Sequence, residues 1–305
     1  MNIVLNVLKV TLEEGLMYAI LALGVYITYS ILDFPDLSVD GTMPLGAIVT
    51  GLLILHGVTP WLCLAAAFLC GALGGVLTGL LHVKCGIRPL LCGILVYTAL
   101  LSVNLVLLFL FNGGNSVASF FRKPTIFSTF PATVVPETVG GLYLRQLFIA
   151  LVLAVVMKLL LDAFLKTKAG LLLRATGDNT TFVTSLAKDP GNSKILGLAL
   201  GNGFAALSGS IIAQAKGSAD QQMGVGAVVL GLASVIIGLS LFGRLGRIRP
   251  TTAVVLGSIV YKACLTVALT LGLPTEYLKL LMAVLFTAAL LFGKSFDKKG
   301  VRHAA

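Results

Sequence analysis

The sequence predicts an all-α protein that crosses a membrane many times. Hydrophobic residues make up 57% of the 305 residues and charged residues only 11%, whereas about a quarter of a soluble domain is charged. Apolar stretches of roughly 20 residues recur along the chain, and each is long enough to cross about 30 Å of hydrocarbon. Leu, Ala and Val runs interrupted by Gly are typical of packed transmembrane helices, not of membrane β-barrels. We therefore expect one polytopic transmembrane domain over residues 1–305.

We predict about nine transmembrane helices, within a range of about eight to ten, and we expect the second to be short or broken. The predicted spans are 12–32, 43–57, 61–81, 89–111, 142–165, 195–215, 226–243, 251–271 and 277–293. A polar, basic loop over residues 166–194 separates the fifth span from the sixth.

The basic residues predict the orientation of these spans. The loops after spans three, five and seven, together with the C-terminal tail, hold fourteen Lys and Arg residues, and the opposite side holds five. Cytoplasmic loops carry an excess of Lys and Arg. We therefore expect the C-terminus and the 166–194 loop in the cytoplasm, and nine spans would place the N-terminus outside. The side of the N-terminus depends on whether the number of spans is odd, and hence on residues 33–57, which the sequence also allows to be a re-entrant or broken segment.

The turn after span one, DFPDLSVDGTMPLGA, is rich in acids and helix breakers. Asp33, Asp36 and Asp40 are a quarter of all the acids in the chain, and Pro35 and Pro44 interrupt the backbone. Short segments broken by Pro and Gly often line a cavity inside a bundle, because irregular backbone facing lipid would be left without hydrogen bonds. Two interpretations stay open: a broken helix on a translocation pathway, or a polar loop whose acids face water and cap helices.

Residues 178–191 predict a short helix inside the 166–194 loop. Asp178 or Asn179 is suited to cap its start, and we expect Pro190 and Gly191 to end it. Phe182, Val183 and Leu186 lie at helical spacing and would form a small apolar face. That face predicts a docking surface for a separate ATP-hydrolysing subunit, and the alternative is insertion into the lipid headgroup layer.

Polar residues inside the spans are the remaining candidates for function. Asn202 and Gln214 in span six would be penalised in hydrocarbon, so they should face the bundle interior, and Asn104 in span four raises the same question. The alternative to a functional role for these Asn residues is an interhelical hydrogen bond. Lys262 is expected to snorkel or to pair with an acid such as Glu276. The sequence shows neither a nucleotide-binding loop nor a catalytic or metal-ligand spacing. We therefore expect a non-enzymatic chain without metal or cofactor, with ATP and magnesium bound by a partner subunit.

Three motifs give the chain a resemblance to a known family. DFPDLSVDGTMPLGA after span one, RATGDN before the short helix, and LALGNGFAALSGSIIAQAKGSAD with GLASVIIG after it resemble permeases of ABC transporters. The family is the branched-chain amino acid/ribose type, and within it the chain is most similar to tryptophan/tyrosine-type permeases that work with a lipoprotein. One departure is Leu239, which follows VIIG where such permeases tend to have an acid.

The resemblance implies an ATP-driven importer in the bacterial plasma membrane. Two permease chains, identical or homologous, would bind two ATPase subunits and receive a small solute, such as an aromatic or branched-chain amino acid, from an extracytoplasmic lipoprotein binding protein. The coupling element would comprise Gly177, Asp178, Asn179, Phe182, Val183, Leu186 and Lys188. The pathway candidates are Asp36, Ser38 and Asp40, implied by the resemblance, and Asn104 and Asn202, from their place in the spans.

A self-contained secondary transporter or channel is the alternative function. Such a protein would be expected to hold a buried acid or His in mid-span for ion coupling. The predicted spans are nearly free of acids, which favours the importer subunit. Nucleic-acid binding is not indicated, because the net charge of +10 follows the loop distribution expected of a membrane protein.

Overall fold

A computed structural model describes residues 2–129, 138–139, 142–185, 188–243, 248–272, 274, 277, 280–288 and 290, with side chains for all of these except 2–4, 138–139, 142–143 and 182. The α-helices are α1 Asn2–Val25, α2 Val39–Leu55, α3 Pro60–Val83, α4 Pro89–Phe111, α5 Ile126–Thr129, α6 Arg145–Phe164, α7 Lys168–Asp178, α8 Thr180–Ser185, α9 Pro190–Lys216, α10 Ala227–Phe242 and α11 Pro250–Thr270. Residues 280–288 are also helical.

Short non-α elements connect these helices. A π-helical turn, Tyr26–Ile31, extends α1, and a 3-10 turn, Gln221–Gly224, precedes α10. Strand β1 (Val117–Ser119) pairs antiparallel with β4 (Ser218–Asp220), and β2 (Thr138–Val139) pairs with β3 (Leu142–Tyr143). The register aligns Ala118 with Ala219, so the first pair joins the end of α9 to the chain that follows α4.

Proline sets the start of four long helices. Pro60, Pro89, Pro190 and Pro250 each occupy the first position of a helix. Proline suits this position because its fixed φ is helical and its missing N–H would have no partner in the first turn. At α9 the carboxylate of Asp189 adds a cap, accepting the backbone N–H of Gly191 at 2.8 Å.

Helix α9 is the most buried of the seven described helices of membrane-spanning length. It runs antiparallel to α1, because Ser208 donates to the carbonyl of Met17 at 2.9 Å and a Cβ on Gly24 would meet the carbonyl oxygen of Gly201. It also runs antiparallel to α3: Gly75 lies against the backbone of Leu198. Glycine allows these contacts, since backbones approach closely only where no Cβ intervenes.

Helices α1 and α2 form a hairpin that turns inside the bundle. The α2 helix runs parallel to α9, with Thr42 bonded to Asn202 and Thr50 bonded to Ser210. Since Asn202 lies close to the midpoint of Pro190–Lys216, α2 begins at mid-depth and leaves by the end at which α1 entered. The predicted broken second span is confirmed.

The two ends of the bundle differ in their basic residues. We call the end that holds Lys84, Arg88, Lys166 and Arg249 the basic end; it also holds α7, α8 and the start of α9. The N-terminus of α1 and the β1–β4 pair lie at the opposite end. The N-terminus lies opposite the basic end because α1 packs antiparallel on α9, which begins at the basic end. A chain of nine spans also predicts an N-terminus opposite the basic loops.

Most predicted spans correspond to helices, and the 166–194 loop requires corrections. Seven described helices are long enough to cross a membrane, α2 is shorter, and the predicted span 277–293 is only partly within the described residues. Pro190 and Gly191 do not end the short helix; they begin α9, five residues before its predicted start. Asp178 is not the cap of α8, because it is the last residue of α7, a helix that the sequence analysis missed.

Candidate functional site

Five polar residues form a hydrogen-bonded group at the tip of the α1–α2 hairpin. Asn202 of α9 donates through Nδ2 to Asp36 Oδ2 at 2.7 Å, and its Oδ1 accepts from the hydroxyl of Ser38 at 3.0 Å. The backbone N–H of Ser38 donates to Asp36 Oδ1 at 2.9 Å. Thr42 Oγ1 donates to Asn202 Oδ1 at 2.8 Å, and Thr78 of α3 donates to Ser38 Oγ at 3.3 Å. We call these residues the central cluster.

The central cluster is closed to its surroundings. Asp36 is 5% exposed, and the other four residues are fully buried. Their donors and acceptors are used by one another, which offsets the cost of taking polar groups out of water. The arrangement fixes α2 against α3 and α9 at mid-depth. Asp36, Ser38 and Asn202, three of the predicted pathway residues, therefore lie together, and within this single chain they hold helices and do not face an open passage.

Asp40 caps another helix. Its carboxylate accepts the backbone N–H of Val228 at 2.7 Å, and the N–H groups of Gly226 and Ala227 also point to it. These amides are the free donors at the start of α10, where the helix dipole favours a negative charge. Gly226 supports this start with a φ of +85°. The cap interpretation left open by the sequence therefore describes Asp40.

Asn104 supports the irregular backbone of α2. Its Nδ2 donates to the carbonyl of Gly41 at 3.1 Å, one turn before Pro44. Proline lacks an N–H, so Pro44 leaves the carbonyl of Asp40, four residues earlier, without its helical partner. Asn104 bonds the carbonyl next to it in the chain, that of Gly41. Asn104 is fully buried, and among the described residues its Oδ1 has no hydrogen-bond partner.

Helix α7 connects the basic end to the α1–α2 hairpin. A Cβ on Gly177 would overlap the carbonyl oxygen of Ile31, so this part of α7 lies directly on the π-helical turn. One turn earlier, Leu173 is fully buried and packs with Leu32 against Gly197 of α9. A movement of α7 would therefore act on the hairpin through backbone contact.

The other predicted coupling residues divide into outward and inward positions. Asp178, Asn179 and Lys188 are exposed at the basic end. Val183 is fully buried, so its side chain anchors α8 on its own chain and is not offered to a partner. The side chain of Phe182 and the whole of Leu186 lie outside the described residues.

Sequence reasoning missed a charged site between α6, α7 and α11. Asp162 of α6 pairs with Lys158 at 2.8 Å and with Arg249 at 3.0 Å, and it accepts from Thr251 Oγ1 at 2.6 Å. A cavity of about 240 Å³ beside it is lined also by Tyr26, Lys166, Arg174 and Pro250. The only signal in the sequence was Asp162 itself, an acid near the end of the predicted span 142–165, which is followed by basic residues.

Seven described helices of membrane-spanning length, packed around a broken hairpin, define a multi-pass membrane protein. The chain belongs to the family described as branched-chain amino acid transport system/permease component, whose model matches residues 9–290. This places it among the permeases of ABC-type amino acid transport systems, as the sequence resemblance implied.

Individual relatives agree with this membership. The chain is 40% identical over 282 residues to a tyrosine transport system permease protein of Clostridioides difficile (strain R20291), covering 92% of this chain and 90% of the relative. It is 32% identical over 290 residues to an uncharacterized protein, RP368, of Rickettsia prowazekii (strain Madrid E), covering 94% and 97%. Its fold resembles PsaBC from Streptococcus pneumoniae in complex with Fab, with a TM-score of 0.51, 13% identity and coverage of 92% and 89%.

Proposed function

We propose that this chain is the membrane-spanning subunit of an ATP-driven importer for an aromatic amino acid, with tyrosine as the first solute to test. The observation that carries the proposal is the 40% identity with a tyrosine transport system permease across nearly the whole of both chains.

The proposed assembly contains two permease chains, two ATPase subunits and an extracytoplasmic lipoprotein that delivers the solute. ATP and magnesium would be bound by the ATPase subunits, and this chain would carry no cofactor of its own. The excess of Lys and Arg at the basic end supports a cytoplasmic position for that end, and with it a cytoplasmic C-terminus, in a bacterial plasma membrane. Whether the two permease chains are identical is decided by the mass of the purified complex.

The proposed coupling route begins at α7 and α8. Asp178, Asn179 and Lys188 would meet the ATPase, because they are exposed at the basic end. Gly177 would pass the movement to Ile31, since the two backbones are in contact there. The π-helical turn leads to Asp36 and the hairpin tip. Packed interfaces tend to switch between discrete arrangements, so a rigid push on α7 would shift the hairpin as a unit.

Phe182 separates two hypotheses about α8. If its side chain anchors the ATPase, Phe182→Asp would leave the protein in the membrane but abolish transport-linked ATP turnover, since a buried anchor contributes roughly 1.5–3 kcal/mol. If the side chain enters the headgroup layer, the variant would keep the ATPase bound. Co-purification of the ATPase with the variant distinguishes the two hypotheses.

Reconstitution tests the proposed function itself. Proteoliposomes containing the permease, its ATPase and the binding protein should take up radiolabelled tyrosine only when ATP is present on the ATPase side. Vesicles containing the permease alone, with a proton or sodium gradient, should show no uptake. Gradient-driven uptake by the permease alone would contradict the proposal and favour a secondary transporter.

A further inference from the structure

A second ion pair lies within the spans, away from the central cluster. Lys262 of α11 donates to Glu14 Oε2 of α1 at 3.0 Å, and the Lys262 ammonium lies 4.1 Å above the ring centroid of Tyr18. The Lys262 side chain is 10% exposed, whereas the Glu14 side chain is 42% exposed. We call Glu14 and Lys262 the outer pair. Lys262 therefore pairs with an acid that the sequence analysis did not consider.

The outer pair lies well inside the helices that carry it. Lys262 is eight residues from the end of α11 at Thr270 and twelve from its start at Pro250. With a rise of 1.5 Å per residue, it lies roughly 12 Å below the end of its helix. Neighbouring contacts fix α1 at this depth, because Ser258 donates to the carbonyl of Gly15 at 2.8 Å.

The adjacent acid on α1 shows what a structural carboxylate does in this region. Glu13 is 6% exposed; it pairs with Lys9 at 3.5 Å and accepts the backbone N–H of Leu147 at the start of α6. Glu13 is thus a buried helix cap. Glu14 is different: its one ionic partner among the described residues is Lys262, and its side chain is 42% exposed.

An exposed carboxylate at this depth is inconsistent with a lipid-facing surface. Charged side chains within transmembrane segments face the bundle interior or a water-filled cavity, because hydrocarbon penalises them by several kcal/mol. The exposed face of α3 has the expected lipid-facing composition, with Leu62, Leu69 and Leu73 more than half exposed. The face of α1 that carries Glu14 and Tyr18 therefore borders water or another polar surface.

We propose that the outer pair, with the ring of Tyr18, is a recognition site for the zwitterionic part of the amino acid on its way through the membrane. The Glu14 carboxylate matches the α-ammonium group of the solute, and the Lys262 ammonium matches its α-carboxylate. The Tyr18 ring offers an aromatic surface beside both charges. This inference rests on the proposed function, since it assumes that an amino acid is the transported solute.

Thiol labelling tests whether water reaches the face of α1 that carries Glu14, and the test does not depend on transport. The five cysteines are first replaced by serine: Cys63, Cys70, Cys85, Cys92 and Cys264. Glu14→Cys is then compared with Ala65→Cys, an exposed position on the lipid-facing side of α3. The depths of these two positions are compared along α9, where Gln214 donates to the carbonyl of Pro60 and Ser208 donates to the carbonyl of Met17. Ala65 lies five residues below Pro60, and Glu14 lies three residues above Met17. The two positions therefore differ in depth by about two helical residues, or roughly 3 Å.

A membrane-impermeant, cationic methanethiosulfonate should label Glu14→Cys at least ten times faster than Ala65→Cys in proteoliposomes. Equal, slow labelling of both variants would overturn the proposal, because water and solute would then not reach this face, whether lipid or another chain covers it. Tyr18→Cys reports on the same face, and it replaces Glu14→Cys if that variant is not monodisperse.

Uptake by a charge-free variant tests recognition of the solute. Glu14→Gln/Lys262→Met removes both charges and leaves neither one unpaired, which is close to neutral for a purely structural ion pair. In the reconstituted complex, at saturating binding protein, we expect at least a tenfold loss of ATP-dependent tyrosine uptake, the size of effect that losing charged hydrogen bonds produces. The permease–ATPase complex should still assemble.

Retention of uptake by this variant, beside an active unmodified complex, would overturn the proposed recognition site and leave the proposed function intact. Absence of ATP-dependent uptake from the unmodified complex would instead contradict the proposed function.

Discussion

The central cluster and the outer pair are both polar sites within membrane-spanning helices. They differ in how many of their polar atoms are hydrogen-bonded within the chain and in how far their side chains are exposed. The central cluster joins Asp36, Ser38 and Asn202 in bonds of 2.7–3.0 Å, and its residues are at most 5% exposed. The outer pair joins two charges by one bond and leaves the Glu14 side chain 42% exposed. A closed set of polar groups fixes helix positions, whereas an open one remains available to a ligand.

This comparison changes how intramembrane polar residues are interpreted. A polar residue in a span is a functional candidate by default, and Asn202 satisfied that criterion from the sequence. Its hydrogen bonds now assign it to the framework of this chain. Glu14 was not selected from the sequence, because it lies near the start of the first predicted span and resembles an ordinary flanking acid.

The largest expected effect on stability is that of Asn202→Ala. The substitution leaves the Asp36 carboxylate and the hydroxyls of Ser38 and Thr42 without their shared partner in a buried site. Each charged hydrogen bond contributes about 1.5–3 kcal/mol, so we expect a loss of roughly 3 kcal/mol in the free energy of unfolding. Denaturation in mixed micelles measures it. A loss below about 0.5 kcal/mol would show that the cluster does not hold the helices together.

Close helix packing around the cluster gives the next largest effect. A Cβ on Gly46 would overlap the backbone carbonyl oxygen of Ala206. A Cβ on Gly51 would meet side chains instead of backbone, and the ring of Phe120 is the nearest of them at 3.0 Å. Gly46→Ala should therefore cost about 1–3 kcal/mol through overpacking, and Gly51→Ala should cost less. The thermal midpoints of the two purified variants measure the difference. Equal midpoints would contradict the predicted contact between α2 and α9.

A smaller effect is expected at the edge of the central cluster. Thr78→Val removes the hydroxyl that donates to Ser38 Oγ at 3.3 Å and keeps the shape of the side chain. The expected cost is about 1 kcal/mol, the usual net contribution of one neutral hydrogen bond. The same denaturation assay measures it, and an effect as large as that of Asn202→Ala would place Thr78 at the centre of the cluster instead.

The smallest effect on stability is expected at the outer pair. Glu14→Gln/Lys262→Met should change the free energy of unfolding by less than about 1 kcal/mol, because a partly exposed ion pair contributes little and no charge is left unpaired. Comparison of this variant with Asn202→Ala in one assay sharpens the contrast between the two sites. A loss of several kcal/mol would make the outer pair part of the framework.

The sequence was sufficient for the span pattern and for the broken hairpin. Residues 89–111 were predicted as a span and form α4, because Pro89 fixes its start and long apolar runs need little tertiary information. The break at Pro35–Pro44 was visible because Pro and Gly act locally. The hydrogen bonds of the central cluster were not predictable, since Thr78 lies 40 residues from Ser38 and Asn202 lies 164 residues from it.

The loop at the basic end was predicted less well, for a local reason. Pro190 suits the first turn of a helix as well as the residues that follow one. The prediction placed it after the short helix, whereas it begins α9. Asp189, which caps α9, was the signal that would have corrected it. Helix α7 was missed because its charged residues made the stretch resemble a loop, although Leu173 and Gly177 contact the core.

The most direct test of the account is to find which end of the bundle meets the ATPase. A photo-crosslinking amino acid placed at Asn179 or at Lys188, both exposed at the basic end, should give a cross-link to the ATPase in membranes containing the full complex. The same group at Asn115, exposed at the opposite end, should give none. Cross-links from position 115, or their absence from both 179 and 188, would contradict the proposal that α7 and α8 couple this permease to ATP hydrolysis.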